Sequence, residues 1–316
     1  MHNIAIIGVG ALGKRHLESV LKSKMELQVY AVDSNQEAVD TAVELSEKRV
    51  IGGNNVNILP KEIDVAIIAT SSAVRRVVFE QLVAHSTIKN IIFEKVLFQR
   101  KEDYFEVDRL LKQYSINAWV NCARREQSSY IALKKLIDEK KCFTFHIEGG
   151  NWGLGCNGIH MLDLVQFLSG SRECNIDNLN LLPVIEESKR LGYKEIFGSV
   201  LGNCGKCQSF SITCYKDSTL PMHLELTGED FRCVIMEGEQ KILLMHQDNM
   251  WKVEEREFPI SYQSQMTQGV VENILKTGNC NLPNYDEAMK LHLVYLEPLI
   301  KFFEEHGGEK GLCPIT

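Results

Sequence analysis

Three glycines near the N-terminus have the spacing of a phosphate-binding turn. They form the run Gly8-Val9-Gly10-Ala11-Leu12-Gly13, a complete G-x-G-x-x-G. In such a turn the first glycine bends the chain sharply, the second lets the backbone approach a pyrophosphate, and the third lets a helix pack on a strand. The N–H groups at the start of that helix favour an anion. We therefore expect the diphosphate of a dinucleotide to be bound by Gly8, Gly10, Ala11, Leu12 and Gly13.

An acid follows at the distance that a dinucleotide site requires. The apolar strand Leu27–Val32 ends at Asp33, about 20 residues after the glycine run. A carboxylate there accepts hydrogen bonds from the adenosine ribose and repels a 2′-phosphate, and Ser34 and Asn35 bring no arginine to offset that repulsion. We therefore expect NAD rather than NADP. The alternative is that Asp33 only caps the helix beginning near Gln36.

Two side chains have the chemistry of proton transfer. Lys95 follows the buried strand 90–93, and an ammonium at that end of a parallel strand can hydrogen-bond a reacting oxygen. The unperturbed imidazole of a histidine changes charge near neutral pH. His160 is expected to begin a helix after the glycine-rich loop 150–158. Asp163 lies on the same helix face, where it can orient His160 or contact substrate hydroxyls. The alternatives are an exposed lysine, a histidine that bonds local backbone, and an aspartate placed for the helix dipole.

Polar residues at the ends of two further strands should also lie beside the dinucleotide. In an open parallel sheet, the loops at the carboxyl ends of the strands face the ligand. Glu94 is expected to fix the loop and the cofactor rather than to take part in the chemistry. The cofactor contacts expected at these strand ends are Thr70, Ser71, Ser72, Glu94 and Lys95.

The elements that position these residues alternate regularly between strand and helix over residues 1–121. That rhythm predicts a dinucleotide-binding Rossmann domain with a doubly wound parallel sheet. The segment 122–316 begins with a helix at 128–139. It continues with short strands that alternate apolar and polar positions, the last of them at 250–254. This pattern predicts an α+β domain with an open, mainly antiparallel sheet. The last two helices, at 261–277 and 285–305, are expected either in this domain or packed back on the first.

Length and composition narrow the class of protein. The chain has 316 residues, which suits two domains, and its net charge of −7 suggests neither a nucleic acid nor an anionic membrane as partner. The sequence begins with a strand of the fold, so we expect no signal peptide and a cytoplasmic location. The 10 cysteines are then expected to be reduced. The pair Cys204 and Cys207 lacks a second ligand pair, so no metal site is expected.

With these motifs in place, the chain resembles the Gfo/Idh/MocA family of sugar and polyol oxidoreductases over nearly its full length. The matching segments are Gly8–His16, Ala69–Ser72 (similar to the family's "ATP" loop), Ile92–Leu97 (similar to "CEKPL") and Gly155–Asp163 (similar to "D-x-G-x-H-x-x-D"). The resemblance implies a Rossmann domain followed by a domain built on an open antiparallel sheet. It also implies a pyridine nucleotide and a carbohydrate-like substrate in the crevice between the domains.

Three residues depart from the family pattern. Val96 replaces the proline after Lys95, and because a cis bond before valine costs about 3 kcal/mol, we expect a trans peptide there. Cys156 stands where the family commonly has an aspartate, so a carboxylate that could orient or pair with the lysine is missing. Arg75 stands where many relatives carry a histidine near the cofactor.

The loop before His160 and the segment after the last Rossmann strand contain the candidate substrate contacts. The face of Trp152 can pack on a sugar ring, and the amides of Asn151 and Asn157 can bond its hydroxyls. Arg124, with the neighbouring Arg125, can meet an acidic substrate; the alternative is helix capping and surface charge.

Together these features predict an NAD-dependent dehydrogenase or reductase that acts on a hydroxyl or ketone carbon of a sugar, sugar acid or nucleotide sugar. Two alternatives stay open: a redox-neutral, NAD-retaining sugar-modifying enzyme, and a non-catalytic NAD-binding regulatory protein. Open-faced sheets need a partner to cover them, so we expect a homodimer or homotetramer formed through the open sheet.

Overall fold

A computed structural model describes residues 1–138 and 142–316. These residues divide into two compact units. The first contains residues 1–126, 261–289 and 316, and the second contains residues 127–260 and 290–315. The first unit is therefore not one continuous stretch of chain, because residues 261–289 join it from beyond the predicted boundary at 121.

The strands are β1 His2–Ile7, β2 Leu27–Val32, β3 Val50–Gly53, β4 Glu62–Ile68, β5 Thr87–Phe93, β6 Asn117–Val120, β7 Phe143–Gly150, β8 Cys174–Leu181, β9 Glu186–Glu187, β10 Lys194–Glu195, β11 Gly198–Cys204, β12 Cys207–Tyr215, β13 His223–Gly228, β14 Phe231–Met236, β15 Lys241–His246 and β16 Glu254–Glu257. The α-helices are α1 Ala11–Val20, α2 Gln36–Leu45, α3 Arg75–His85, α4 Lys101–Gln113, α5 Ser128–Asp138, α6 Leu154–Ser169, α7 Gln263–Thr277 and α8 Tyr285–Glu305.

The first unit is built on a six-stranded parallel sheet with the order β3-β2-β1-β4-β5-β6. Its central strands are continuous apolar runs, as expected when helices cover both faces of a sheet. The strand order reverses between β1 and β4, and in such sheets ligands bind at this switch point, beyond the carboxyl ends of the strands. The predicted Rossmann fold is confirmed.

Helix α7 packs on α1 in this unit. The backbone N–H of Gln268 donates to Ser19 Oγ at 2.8 Å. Val270, Val271 and Ile274 are buried in the same hydrophobic core as the β1 strand. Residues far along the sequence therefore complete the nucleotide-binding fold.

The second unit is built on an eight-stranded sheet with the order β16-β15-β14-β13-β7-β12-β11-β8. Neighbouring strands of this sheet pair antiparallel, except that β7 and β12 pair parallel. The burial of β7 alternates along the strand, and α6 packs on the sheet at β12. The predicted mainly antiparallel sheet is confirmed.

Two sequence predictions in this unit are wrong. The strand predicted at 250–254 begins only at Glu254, because Met250 and Trp251 adopt positive φ angles of 56° and 60°. A disulfide joins Cys174 and Cys204, which were expected to be reduced; the two residues lie opposite each other in the β8–β11 register.

Helix α5 ends at Asp138, and the predicted helix end at Glu139 lies outside the described residues. Among the helices of the described residues, none is long and apolar enough to cross a membrane.

Candidate functional site

The glycine run forms the turn from β1 into α1, and each glycine meets different surroundings. Gly8 has a φ of +88°, and a Cβ there would lie 2.9 Å from the backbone nitrogen of Thr70. A Cβ on Gly13 would lie 1.8 Å from the carbonyl oxygen of Gly8. A Cβ on Gly10 would meet no atom within 4 Å. The first and third glycines are therefore required by packing, whereas the second borders open space at the N-terminus of α1.

Asp33 at the end of β2 is joined directly to this turn. One carboxylate oxygen accepts the N–H of Val9 at 2.8 Å, and the other accepts the N–H of Asn35 at 2.9 Å. Helix α2 is capped by Asn35, whose side chain accepts the N–H of Glu37. The alternative that Asp33 only caps this helix is therefore wrong, because the carboxylate bridges the ends of two neighbouring strands.

Thr70 follows β4 on the other side of the switch point. Its hydroxyl oxygen is buried and has no hydrogen-bond partner among residues 1–138 and 142–316. Ser71 is half-buried, and the backbone N–H of the buried Ser72 donates to Thr316 Oγ1 at 3.2 Å. A buried hydroxyl beside the glycine turn is a group that a bound ligand can satisfy.

Arg75 holds the loops after β4 and β5 together. Its side chain is 1% exposed, and its guanidinium donates to the carbonyls of Thr70, Val96 and Leu97. The Lys95–Val96 peptide is cis, so the predicted trans peptide is wrong. Sequence reasoning noted Arg75 only as a departure from the family pattern. What it missed is that a buried cation ties the carbonyls on both sides of this segment.

Glu94 lies in a buried polar network of the first unit. Its side chain is 2% exposed and contacts His16 Nε2 at 2.9 Å, and the amide of Asn121 donates to the same oxygen. The other ring nitrogen of His16 contacts Thr267 Oγ1 at 2.9 Å. Burial by itself raises the pKa of Glu94. The hydrogen bond and the charge of His16 oppose this effect, as do the hydrogen bond from Asn121 and the charge of Lys95. The net result is a pKa below that of an ordinary glutamate.

This network was missed by the sequence analysis, although one signal was present. His16 closes the segment Gly8–His16, but nothing local indicated that it faces Thr267 on α7. Lys95 itself is half-buried next to Glu94, at the carboxyl end of β5. The network therefore joins the ends of β5 and β6 to α1 and α7, and Glu94 in it is the residue before the candidate lysine.

His160 lies within α6, which begins at Leu154, so the prediction that His160 starts the helix is wrong. The glycines that suggested a loop serve close packing. A Cβ on Gly155 would lie 2.8 Å from Glu195 Oε1, and a Cβ on Gly158 would lie 2.2 Å from the hydroxyl of Tyr295. His160 is half-buried in the second turn of the helix.

The remaining predicted residues of the second unit differ in their exposure and in their hydrogen bonds. Asp163 follows His160 on α6 and is 1% exposed. The indole N–H of Trp152 donates to the carbonyl of Thr213 at 2.9 Å, and the amide of Asn157 donates to the carbonyl of Trp152 at 2.8 Å. Asn151 is exposed and has a φ of +49°. Of these side chains, that of Asn151 is the most accessible.

The two arginines after β6 differ in their surroundings. Arg125 is buried and pairs with Glu287 at 2.7 Å. Arg124 is half-buried in the same short 3₁₀ turn of the first unit. Arg125 is therefore held by an ion pair within the fold.

The structure thus brings the predicted cofactor residues of the first unit to the carboxyl ends of β1, β2, β4 and β5. His160, Asp163, Asn151, Trp152 and Asn157 belong to the second unit. The residues around the glycine turn fit a nicotinamide dinucleotide: open space at Gly10 where a diphosphate can lie, a carboxylate at Asp33 at the end of β2, and at Thr70 a hydroxyl that lacks a partner among the described residues.

The comparison with protein families supports this assignment. Residues 2–122 match the model of the GFO_IDH_MocA family, described as an oxidoreductase family with an NAD-binding Rossmann fold. The resemblance inferred from the sequence is confirmed over this segment, which matches the NAD-binding Rossmann domain of that family. None of the curated proteins matches the chain by sequence.

Solved structures match nearly the whole chain in fold. UDP-N-acetylglucosamine 3-dehydrogenase GnnA from Acidithiobacillus ferrooxidans is 13% identical, with a TM-score of 0.75 over 94% of this chain and 96% of that one. A super-repressor mutant of Gal80p from Saccharomyces cerevisiae is 14% identical, with a TM-score of 0.74 over 97% and 96%. An oxidoreductase from Agrobacterium radiobacter, in complex with NAD+, L-tartaric acid and magnesium, is 14% identical, with a TM-score of 0.71 over 93% and 94%. At these identities the likeness is one of fold.

Proposed function

We propose that this protein is an NAD-dependent oxidoreductase that transfers a hydride between the nicotinamide and a hydroxyl or ketone carbon of a sugar, sugar acid or nucleotide sugar. The observation that carries the proposal is the turn at Gly10, which is open where a diphosphate would lie and is flanked by Asp33 and Thr70. The match of residues 2–122 to an NAD-binding oxidoreductase family supports it.

The preference for NAD over NADP rests on Asp33. Its carboxylate is fixed by the N–H groups of Val9 and Asn35, so it cannot easily turn away from a phosphate on the ribose. A second negative charge at that position would be repelled at short range. NAD, which carries a free 2′-hydroxyl, gives the carboxylate a hydrogen-bond donor instead.

The chemistry divides between the cofactor and two side chains. Bound NAD supplies the hydride acceptor, or NADH the donor. Lys95 donates a hydrogen bond to the reacting oxygen, which stabilises negative charge on it, and His160 takes or returns the hydroxyl proton. Glu94, held by His16 and Asn121, positions the segment that carries Lys95.

The family and two of the structural relatives support the proposed substrate class. GnnA is a dehydrogenase of a nucleotide sugar, and the Agrobacterium radiobacter oxidoreductase was solved with a hydroxy acid. Asn151 is the exposed amide near the start of α6 and is our first candidate for a substrate hydroxyl contact, followed by Trp152, Asn157, Asp163 and Arg124.

The test is steady-state turnover with NAD and a panel of sugars, sugar acids and nucleotide sugars. Lys95→Met and His160→Ala should each lower kcat by at least about 100-fold, the usual scale for a lost proton-transfer group. Lys24→Met and His306→Ala, both at exposed positions, serve as matched controls. Parental turnover in both test variants would refute the proposed roles.

The same purified protein and substrate panel distinguish two alternative functions from the proposed one. The first alternative is a non-catalytic NAD-binding regulatory protein. Two observations support it: Val96 and Cys156 depart from the family pattern, and the fold is similar to that of Gal80p. That alternative requires NAD binding without turnover on the whole panel, together with NAD-dependent binding to another protein. A redox-neutral enzyme would instead retain NAD through purification and convert substrate without net NADH formation.

Assembly is a separate part of the proposal. One face of the eight-stranded sheet carries polar side chains that bond across strands, such as His146 with Ser211 and Tyr215 with Glu148. We propose that a second copy of the chain covers this face in a homodimer or homotetramer. Light scattering on the purified protein tests it, and a monomer at micromolar concentration would refute it.

A further inference from the structure

The first turn of α6 is held by a carboxyl group from another part of the chain. Glu195, at the end of β10, is 9% exposed. Its Oε1 accepts two backbone N–H groups, that of Gly155 and, at 3.1 Å, that of Ile196. The N-cap residue of α6 is Gly153, which provides no side-chain cap. The helix that carries His160 therefore receives its cap from β10.

The second oxygen of Glu195 faces the side chain of Cys156. A Cβ built on Gly153 would lie 3.0 Å from Glu195 Oε2 and 2.9 Å from Cys156 Sγ. The thiol of Cys156 hydrogen-bonds the carboxyl group. Since Cys156 and His160 are four residues apart on α6, they share a helix face. Glu195 thus contacts the same face of α6 that presents His160.

The amine nearest to Glu195 in sequence and the buried groups around it bear on its ionisation. Lys194, next to it in sequence, directs its amine to Glu187 instead. Burial raises the pKa of Glu195, although hydrogen bonds from Ile196, Gly155 and Cys156 oppose that shift. The titratable groups that face this region from α6, β12, α8 and the C-terminal segment are Cys156, Cys214, Tyr295 and Cys313.

We propose that Glu195 is a positioning residue for the candidate site: its carboxyl group fixes the first turn of α6 and hence the placement of His160, and its ionisation makes that placement depend on pH. The inference rests on the proposed function, in which His160 exchanges a proton. The residue type at 195 is not predicted by any motif, because β10 and α6 meet only in the folded unit.

The sign of the pH dependence follows from the burial. A buried carboxyl group with a raised pKa binds its proton more tightly in the folded protein than in the unfolded chain. Its contribution to stability is therefore fully present below the pKa of an unfolded glutamate, about 4.3, and is lost as the pH rises through the raised value. The first turn of α6 should open more readily at the higher pH.

Two substitutions separate the hydrogen bonds from the ionisation. Glu195→Gln keeps an acceptor oxygen for the N–H groups but cannot ionise, whereas Glu195→Ala removes the acceptor. Glu229→Gln, at an exposed position between β13 and β14, is the matched control. The readouts are amide hydrogen exchange of residues 154–158, corrected for the intrinsic effect of pH, and the pH profile of kcat.

Glu195→Ala should speed exchange at residues 154–158 at least tenfold and lower kcat at least tenfold with little change in KM. Glu195→Gln should keep the parental exchange at low pH and remove one ionisation from the kcat profile. The control should match the parent throughout. Parental exchange and kcat in the alanine variant would overturn the positioning role, and a glutamine profile that superimposes on the parent's would overturn the role of ionisation.

The two proposals fail in different ways. If His160→Ala retains full turnover while exchange at residues 154–158 changes as described, the proposed function is wrong and the cap by Glu195 stands. If the alanine variant does not fold, the hydrogen exchange and the pH profile of the glutamine variant still decide the role of ionisation. The positioning role is then decided by Glu195→Asp, whose shorter side chain reaches less far toward Gly155, in the same exchange measurement.

Discussion

The two glycines at either end of the α1 turn give a sharp test of the nucleotide site. Gly10→Ala and Gly13→Ala each add one methyl group within the same turn. At residue 13 that carbon would lie 1.8 Å from the carbonyl oxygen of Gly8, and at residue 10 it would meet nothing within 4 Å. One substitution therefore disturbs packing of the folded chain, and the other only fills space where a ligand would lie.

The expected magnitudes differ accordingly. At Gly13 the overlap is with backbone, so α1 must move away from β1, and we expect a loss of about 3 kcal/mol in the free energy of unfolding. At Gly10, replacing an N-cap glycine costs about 1 kcal/mol and the lower entropy of the unfolded chain returns about half of that. Its effect on stability should be under about 1 kcal/mol, while NAD binding should weaken at least about tenfold, or 1.4 kcal/mol.

Urea unfolding and calorimetric titration with NAD measure these two quantities separately. Titrations are made without urea, at a temperature where both variants are folded. Gly269→Ala, in the middle of α7 of the same unit, is the matched control, because a Cβ there also meets nothing within 4 Å. It should bind NAD like the parent and gain up to about 1 kcal/mol in stability from helix propensity.

Two results would refute this reasoning. If Gly10→Ala binds NAD with parental affinity, the turn does not hold the diphosphate and the proposed cofactor site is wrong. If Gly13→Ala is as stable as the parent, the close approach of α1 to the end of β1 is not what the third glycine provides.

Three further predictions concern the surroundings of the turn. Asp33→Ser should raise the ratio of kcat/KM with NADP to that with NAD at least about tenfold, because the charge that repels a 2′-phosphate is gone. Arg75→Met should lower the free energy of unfolding by about 3 kcal/mol in urea, because three carbonyls lose a buried donor. Glu94→Gln should reduce the loss of stability in acid. The lowered pKa of Glu94 stabilises the folded protein above the pKa of an unfolded glutamate, about 4.3. That stabilisation is lost as the pH falls through the lowered value, and a glutamine has no such proton to bind.

Each of these has its own control. Asp40→Ser, at an exposed position of α2, should leave the cofactor ratio unchanged, and an equal shift in both variants would argue against a ribose contact at Asp33. Arg75→Lys keeps the positive charge and should recover part of the stability; no difference between the methionine variant and the parent would show that the three carbonyl contacts are not needed. An acid unfolding curve of Glu94→Gln that overlays the parent's would contradict the ion pair with His16.

Most of the fold could be read from the sequence because its signals are local. The continuous apolar strands of the first unit and the alternating strands of the second each follow from neighbouring residues. The bounds of β2 and α8 agree with the prediction to the residue. The glycine run and Asp33 were likewise recognisable, because their spacing along the chain fixes their positions around one turn.

Other features depended on contacts between distant residues. The glycines of 150–158 suggested a loop, yet Gly155 and Gly158 lie in α6. They are glycine because Glu195 and Tyr295 pack against these positions too closely for a side chain. The His16 ring lies between Glu94 and Thr267, residues far away along the chain.

The sequence by itself therefore determined which segments form the nucleotide-binding sheet and where its phosphate turn lies, since strand burial and turn geometry are set by residues close in the chain. Only the tertiary structure decided that Arg75 ties two strand ends together and that Glu195 caps α6. Buried polar groups must find partners wherever the fold brings them, and no local pattern encodes the partner's identity.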